Sequence, residues 1–470
     1  MLRQLLLVTL FASGLTTGFS QSNSITIELK TDTIQQVLFA KYLLDNLYVV
    51  DTLLPDANNK FVINQKDTLN EGIYALAFNV DGGNSILQFC LDNSVDSYSL
   101  FIEDVAKPQT TSSIKGSEIA QSLNEYMVFL RERSIEASQI PEDENKQEKL
   151  NELTKQVNNF QRDFVEQYKG TLPGAFVGAS LPIEIPDFED IENEKERGVA
   201  RWWYNKQHYF DFVDLKDDRL LYTPFLYKKI NDFIDNLTSP APDSINASLK
   251  FIMDKMDPES DLFRAYLSTY LTKYATSKIV GYDAVYVFLA EEYYEKGFAY
   301  WVDEEKLAKI VDEAKKMKPT LMGKLAPDII LQDKEGKKMS LHEFKSEYTI
   351  LLFWAPDCGH CKKSMPDIIE FYNKFKDKGV EILGICTKFY KDAESCWEFV
   401  EEKEIDIWLN TMDPYHQSRY KILYNINSTP QIFILDKDKN ILVKRIGSEQ
   451  LEEVMENILK NDAAKKSEKI

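Results

Sequence analysis

The sequence predicts a multidomain chain with an N-terminal β-sandwich, a central α-helical domain and a C-terminal α/β domain. Three observations carry that expectation. Short runs of β-branched and aromatic residues separated by turn formers fill residues 21–108. Apolar residues then recur at three- and four-residue steps over residues 109–319. From residue 320 to 470, strand-like and helix-like segments alternate. A chain of 470 residues that is 44% hydrophobic can supply several cores, and it contains too few glycines (18) for a fibrous or glycine-rich protein.

Residues 1–20, MLRQLLLVTLFASGLTTGFS, read as a cleavable secretory signal. Arg3 supplies the positive start, Leu5 to Leu15 the apolar stretch, and Gly18 and Ser20 the small residues before the cut. No later segment is long and apolar enough to span a bilayer, so the expected location is extracytoplasmic, in the periplasm. Disulfides are stable in that compartment.

In the β-rich region, SITIEL, VLFAKYLL, LYVVDTLL, KFVINQ, GIYALAFNV, SILQFCLD and SYSLFIED are the strand candidates. Turns at Asp56–Asn59, Asn70–Gly72 and Asp81–Asn84 space them as in a small antiparallel sandwich. Cys90 lies inside an apolar strand and reads as a small buried hydrophobe. The helical region carries many aromatics, among them Trp202, Trp203, Tyr293 and Tyr294, which read as core and inter-helix packing before any peptide- or glycan-binding groove. A break is expected over residues 174–186, where Pro182 and Pro186 stand.

The C-terminal region opens on a hairpin turning at Glu335-Gly336. The buried strand TILLFWA follows, then an amphipathic helix from Cys358 to Lys378, the strand VEILGICT, the helix DAESCWEFVEEKEI and the strand IWLNT. The strands QIFILD and ILVKRIG and a last helix, EQLEEVMENILK, complete the domain.

Chemistry concentrates in FWAPDCGHCKKSMP. Cys358 and Cys361 are spaced to close a small disulfide ring on the first turn of a helix. Unpaired N–H groups and the helix dipole there favour the Cys358 thiolate, and His360 can add positive charge. Stabilising the thiolate stabilises the reduced form and makes the disulfide a better oxidant. Half of a zinc site is a poor alternative, because Cys386 and Cys396 stand ten residues apart and form no second C-x-x-C. A structural role is also disfavoured, because closing so short a loop gains little. No metal or organic cofactor is expected; the redox-active group is the Cys358–Cys361 pair itself. Cys90, Cys386 and Cys396 are an odd remainder, so at least one of them is unpaired within the chain, and a Cys386–Cys396 bridge is one option.

These residues resemble the thioredoxin superfamily, and most of all its extracytoplasmic TlpA-like thiol-disulfide oxidoreductases, a domain type labelled AhpC/TSA. Trp354 precedes the Cys pair, Pro366 matches the family's helix proline, and Thr429-Pro430 matches its cis-proline loop, which pairs through its backbone with substrate. The β-rich and helical regions upstream resemble large secreted members from Gram-negative bacteria. The resemblance implies catalytic Cys358 and Cys361, supporting Trp354, Gly359, His360 and Pro366, and substrate contacts at Thr429 and Pro430. It also implies protein or peptide clients and an upstream electron donor or acceptor. Gly359-His360 is the dipeptide of protein disulfide isomerase-like domains, which implies a potential within about −230 to −120 mV. Two positions depart from the family. Leu352 stands where thioredoxin has a buried acid, and Ser364 where many TlpA-like reductases have Glu.

Other functions fit less well. A net charge of −20 repels phosphate backbones, so nucleic acid is not an expected partner. Ala355 replaces the Thr a peroxiredoxin needs before its reactive Cys, which disfavours peroxidase activity. A partner- or glycan-binding envelope protein with an auxiliary redox domain is the alternative from another class; retention of both cysteines counts against it.

Overall fold

The computed structural model describes residues 23–64, 66–80 and 83–467; the expected signal sequence lies outside them. The chain forms two compact units that meet in sequence at Leu237 and Thr238.

In the first unit, strands β1 (Ser24–Leu29), β4 (Lys60–Asn64), β7 (Ser97–Ile102) and β8 (Ser112–Lys115) form one sheet in the order β4-β1-β7-β8. Strands β2 (Val37–Leu43), β3 (Asn46–Leu53), β5 (Gly72–Val80) and β6 (Gly83–Leu91) form another in the order β3-β2-β5-β6. Ile25, Ile27, Phe61 and Leu100 of the first sheet share one buried cluster with Phe39, Leu76 and Phe89 of the second. Pairing is antiparallel throughout except between β1 and β7, which run parallel. Cys90 is a buried free thiol in that cluster, and burial pushes its pKa up.

Two local features depart from the sequence reading. Strand β8 lies in the stretch read as helical; it is four residues long with one buried apolar side chain, Ile114, too little to show as a pattern. The expected break at 174–186 begins later, because Leu172–Gly178 is a helix. Thr171 caps it by accepting the Gly174 N–H, and Pro173 sits in its first turn, where a missing N–H costs nothing. The helices α1 (Glu118–Ser138), α2 (Lys146–Gln167), α3 (Leu172–Gly178), α4 (Glu194–His208) and α5 (Pro224–Asp235) belong to this unit.

The second unit begins with helices α6 (Pro242–Met253), α7 (Asp261–Ala275), α8 (Asp283–Leu289) and α9 (Glu304–Met317). The tyrosines of this region are largely core: Tyr266, Tyr270, Tyr274, Tyr286, Tyr293 and Tyr294 are all buried. Trp203, in the first unit, is half exposed. A sheet follows, with β9 (Ile330–Gln332), β10 (Lys338–Ser340), β11 (Tyr348–Trp354), β12 (Val380–Cys386), β13 (Leu409–Met412), β14 (Gln431–Asp436) and β15 (Ile441–Lys444). Its order is β10-β9-β13-β12-β11-β14-β15. β11, β12 and β13 run parallel, and β14 returns antiparallel to β11. Helices α10 (Gly359–Phe375), α11 (Ala393–Glu402) and α12 (Leu451–Ser467) complete this part.

Strand β11 is central and buried on both faces, as its unbroken apolar run requires. Ile350, Leu352 and Trp354 enter one core with α10 and α11, while Leu351 and Phe353 enter a second with Tyr420 and Tyr424. Cys386, at the end of β12, is disulfide-bonded to Cys396 of α11, with Cα atoms 6.2 Å apart. The bridge ties α11 to the end of the sheet. The sequence separation is 10 residues, and a loop of that size stabilises by about 2–3 kcal/mol. The Cys386→Ala/Cys396→Ala protein should therefore lose about 2–3 kcal/mol in urea unfolding. A loss under about 0.5 kcal/mol would show that packing alone holds α11 in place.

Candidate active site

The candidate residues lie past the C-terminal end of β11 and just before the start of β14. β11 ends at Trp354, and the next four residues turn the chain into α10. Cys358 is the N-cap of that helix, with extended backbone (φ −79°, ψ 114°). Its Sγ accepts the Cys361 N–H at 3.1 Å, the contact a capping Ser or Asp would make with oxygen. The same Sγ lies 3.1 Å from the Thr429 carbonyl, to which the protonated thiol donates. Both cysteines are thiols in this structure.

The two sulfurs differ in depth. Cys358 is partly exposed, and Cys361, one turn in, is 1% exposed. Burial raises the Cys358 pKa, but hydrogen bonds with the Cys361 and Thr429 side chains and with the N–H groups of Cys361 and His360 outweigh it. The net result is a thiol held below the ordinary cysteine value. Burial pushes Cys361 the other way, up to about 12, and its contact with Cys358 adds to the rise. The outer sulfur is thus the one whose surroundings favour a thiolate, and the inner one the one whose surroundings favour a thiol.

The remaining expected site residues take distinct places. Thr429-Pro430 is a cis peptide at the start of β14, and it sets the Thr429 carbonyl beside Cys358. Gly359 and His360 are exposed on the first turn of α10. Trp354 is fully buried and stacks on Phe399 of α11 (centroids 5.0 Å apart, 29° between planes). Its indole N–H has no partner among the described residues. Pro366 sits inside α10 on the exposed side, while Met365, Ile368, Phe371 and Phe375 bury the opposite face. Leu352, at the position of thioredoxin's acid, is fully buried among apolar residues.

Residues 322–444 match the AhpC/TSA family, and residues 138–324 match DUF5106, a domain of unknown function. The chain is 32% identical over 149 residues to thiol-disulfide oxidoreductase ResA of Bacillus thuringiensis subsp. konkukian, a match covering 30% of this chain and 77% of that protein. The chain belongs to the TlpA-like thioredoxin superfamily. A further relative, a thiol-disulfide oxidoreductase ResA of Bacillus cereus, is 34% identical over 140 residues, covering 29% of this chain and 76% of that protein. The crystal structure of the thioredoxin domain of a thiol-disulfide oxidoreductase from Bacteroides vulgatus is 29% identical, covers 29% of this chain and 96% of that one, and has a TM-score of 0.27. The protein is a thiol-disulfide oxidoreductase.

This TlpA-like site also uses residues the motif did not reveal. Lys388, just past β12, pairs with Asp357 at 2.6 Å and braces the residue before Cys358; this contact lowers the Asp357 pKa. The Thr387 N–H and hydroxyl both donate to the Trp354 carbonyl, at 2.9 and 3.1 Å. Lys388 lies 27 residues beyond Cys361, and only the parallel β11–β12 register, with Trp354 opposite Cys386, brings it back to the site. Gly384 supplies the space under Trp354. A Cβ there would meet Asn410 Oδ1 at 2.5 Å, Trp354 Nε1 at 3.2 Å and Trp408 Nε1 at 3.3 Å.

Two measurements follow from this geometry. Iodoacetamide added to the reduced protein near neutral pH should label Cys358 and spare Cys361 and Cys90. A lowered pKa moves the titration down, so the labelling rate should reach half its maximum below the free-cysteine value of about 8.5. Equal labelling of Cys358 and Cys361 would contradict the division. Gly384→Ala should cost about 1–3 kcal/mol by overpacking and shift the Trp fluorescence of the native state. An unchanged urea midpoint would show that the space is not needed.

Proposed function

We propose that the chain reduces or forms disulfides in protein or peptide clients through Cys358 and Cys361. The observation that carries this reading is the Cys358 sulfur itself, partly exposed at a helix N-terminus and holding both the Cys361 N–H and the Thr429 carbonyl at 3.1 Å. In the reducing direction the Cys358 thiolate attacks one sulfur of a client disulfide. The other client sulfur leaves as a thiolate and takes a proton from solvent. A mixed disulfide then joins Cys358 to the client, whose backbone lies along Thr429 and Pro430. Cys361 loses its proton and attacks Cys358, and the second client sulfur leaves. Two electrons pass to the client, and the Cys358–Cys361 disulfide is left for an upstream donor to reduce. The reverse order oxidises a client dithiol.

With Leu352 in place of an acid, deprotonation of Cys361 falls to solvent or to the departing client thiolate. Trp354 and Pro366 hold the shape of the site, and the exposed His360 adds positive charge beside Cys358 when protonated. The protein works outside the cytoplasm in this reading. The Cys386–Cys396 disulfide supports that location, because such bonds persist where thiols are not kept reduced. The regions before the redox domain dock clients or join copies of the chain.

The test is a trapping experiment. Cys361→Ser should accumulate a mixed disulfide between Cys358 and a disulfide-bearing client, seen as a mass increase that dithiothreitol removes. Cys358→Ser should accumulate none. Equilibration with glutathione buffers should place the wild-type pair within about −230 to −120 mV, because stabilising the Cys358 thiolate favours the reduced form. A pair that never cycles in these buffers refutes the proposal.

A further inference from the structure

We infer that three aromatic rings on the loops after β12 and β13 form a ledge that selects clients carrying an aromatic or aliphatic side chain a few residues from the reacting cysteine; this inference rests on the redox reading above. Phe389, Tyr390 and Tyr415 are 45%, 60% and 51% exposed. Single exposed apolar residues are ordinary, but these three touch one another. Tyr390 and Tyr415 stack with centroids 5.1 Å apart and planes 16° apart, and Phe389 meets Tyr415 edge-on at 6.1 Å.

The ledge is held rigid from below. The Tyr390 N–H donates to the Pro414 carbonyl at 2.8 Å, joining the loop after β12 to the loop after β13. Phe389 packs edge-on against His416 at 5.6 Å. His416 in turn meets the fully buried Tyr420, ring to ring at 5.3 Å and Nε2 to hydroxyl at 3.2 Å. Tyr420 stacks on Phe353 of β11 at 5.6 Å. The buried Asp413 carboxylate accepts the N–H groups of Gln417 and Ser418 and fixes the second loop. Rings already fixed in place lose little entropy when they bind, which suits them to recognition.

Position identifies the occupant. Lys388, which pairs with Asp357, is followed directly by Phe389, so the ledge begins next to the active-site turn. In the sheet order β13-β12-β11-β14, the ledge lies on one flank of Cys358 and Thr429-Pro430 on the other. A client chain that approaches Cys358 from the β12 side passes over this surface. With its backbone near Thr429, an extended segment advances about 3.3 Å per residue and carries a neighbouring side chain onto the rings. An extended polypeptide with an apolar residue near its cysteine fits that path; glutathione, a small polar tripeptide, offers the rings no apolar side chain.

The probes are two synthetic peptides, each with one cysteine joined to glutathione. They are identical except for Phe or Ser about three residues from that cysteine. Glutathione disulfide serves as the small substrate. Reduced full-length protein should reduce the Phe peptide about fivefold to tenfold faster than the Ser peptide, the size expected of one aromatic contact. In the Phe389→Ser/Tyr390→Ser/Tyr415→Ser protein that preference should fall below about twofold, with the glutathione disulfide rate unchanged. Tyr390→Ser alone, at the most exposed ring, should show a partial loss and guards against misfolding of the triple variant. Equal rates on the two peptides by the wild type, or a preference that survives in the triple variant, would overturn the ledge while leaving the redox reading intact. Failure of the wild type to reduce even glutathione disulfide would overturn the redox reading and the ledge with it.

Discussion

Burial of strand β11 on both faces fixes everything that follows it. Its alternating side chains lock into two separate cores, so the strand can neither slip nor rotate without moving one set of residues into the other's place. Its end at Trp354 is therefore a fixed point, and Cys358 emerges four residues later at a set height above the sheet. The parallel partner β12 and the antiparallel partner β14 hold the two flanks of that point. Each flank contributes one contact to the reactive turn: Lys388 to Asp357 from the β12 side, and the Thr429 carbonyl to Cys358 from the β14 side.

The division of labour between the two thiols follows from depth along one helix. A cap residue lies outside the helical hydrogen-bonding ladder and meets free N–H groups, so its sulfur gains hydrogen bonds that favour negative charge. Three residues on, the chain has completed its first turn and dips into the core, where charge is penalised. The same C-x-x-C spacing that permits ring closure thus separates the two pKa values in opposite directions. No carboxylate is required to establish the difference. The two thiols are thus separated with Leu352 where a buried acid would stand.

Much of this was legible in the sequence because it is local. The cap position of Cys358, the strand before it and the helix after it are written in adjacent residues, and Thr429-Pro430 was recognisable as a motif. What escaped reading depends on register between distant segments. Lys388 reaches Asp357 only because β12 lies alongside β11, and Tyr390 meets Tyr415 only because β12 and β13 are neighbours. The Cys386–Cys396 bridge stayed open for a related reason: the spacing permits it, but only the packing of α11 over the end of β12 brings the Cα atoms within reach. Strand β8 escaped because four residues carry too little pattern to outweigh a helical neighbourhood.

The redox turn is stiffened from one side and left open on another. Beneath it, Phe399 and Trp354 stack in a core that also holds Cys386 and Cys396, so α11 is attached covalently and by packing to the end of the sheet. Among the described residues the Trp354 indole N–H has no partner, which costs about 1–3 kcal/mol and is offset by burial of the rings around it. Above it, the Thr429 carbonyl accepts a hydrogen bond from the Cys358 thiol. In the reaction proposed above, that bond is lost once Cys358 becomes a thiolate, and the carbonyl can then accept a backbone N–H from an incoming chain. On that proposal, the step that activates the nucleophile also frees an acceptor for its client.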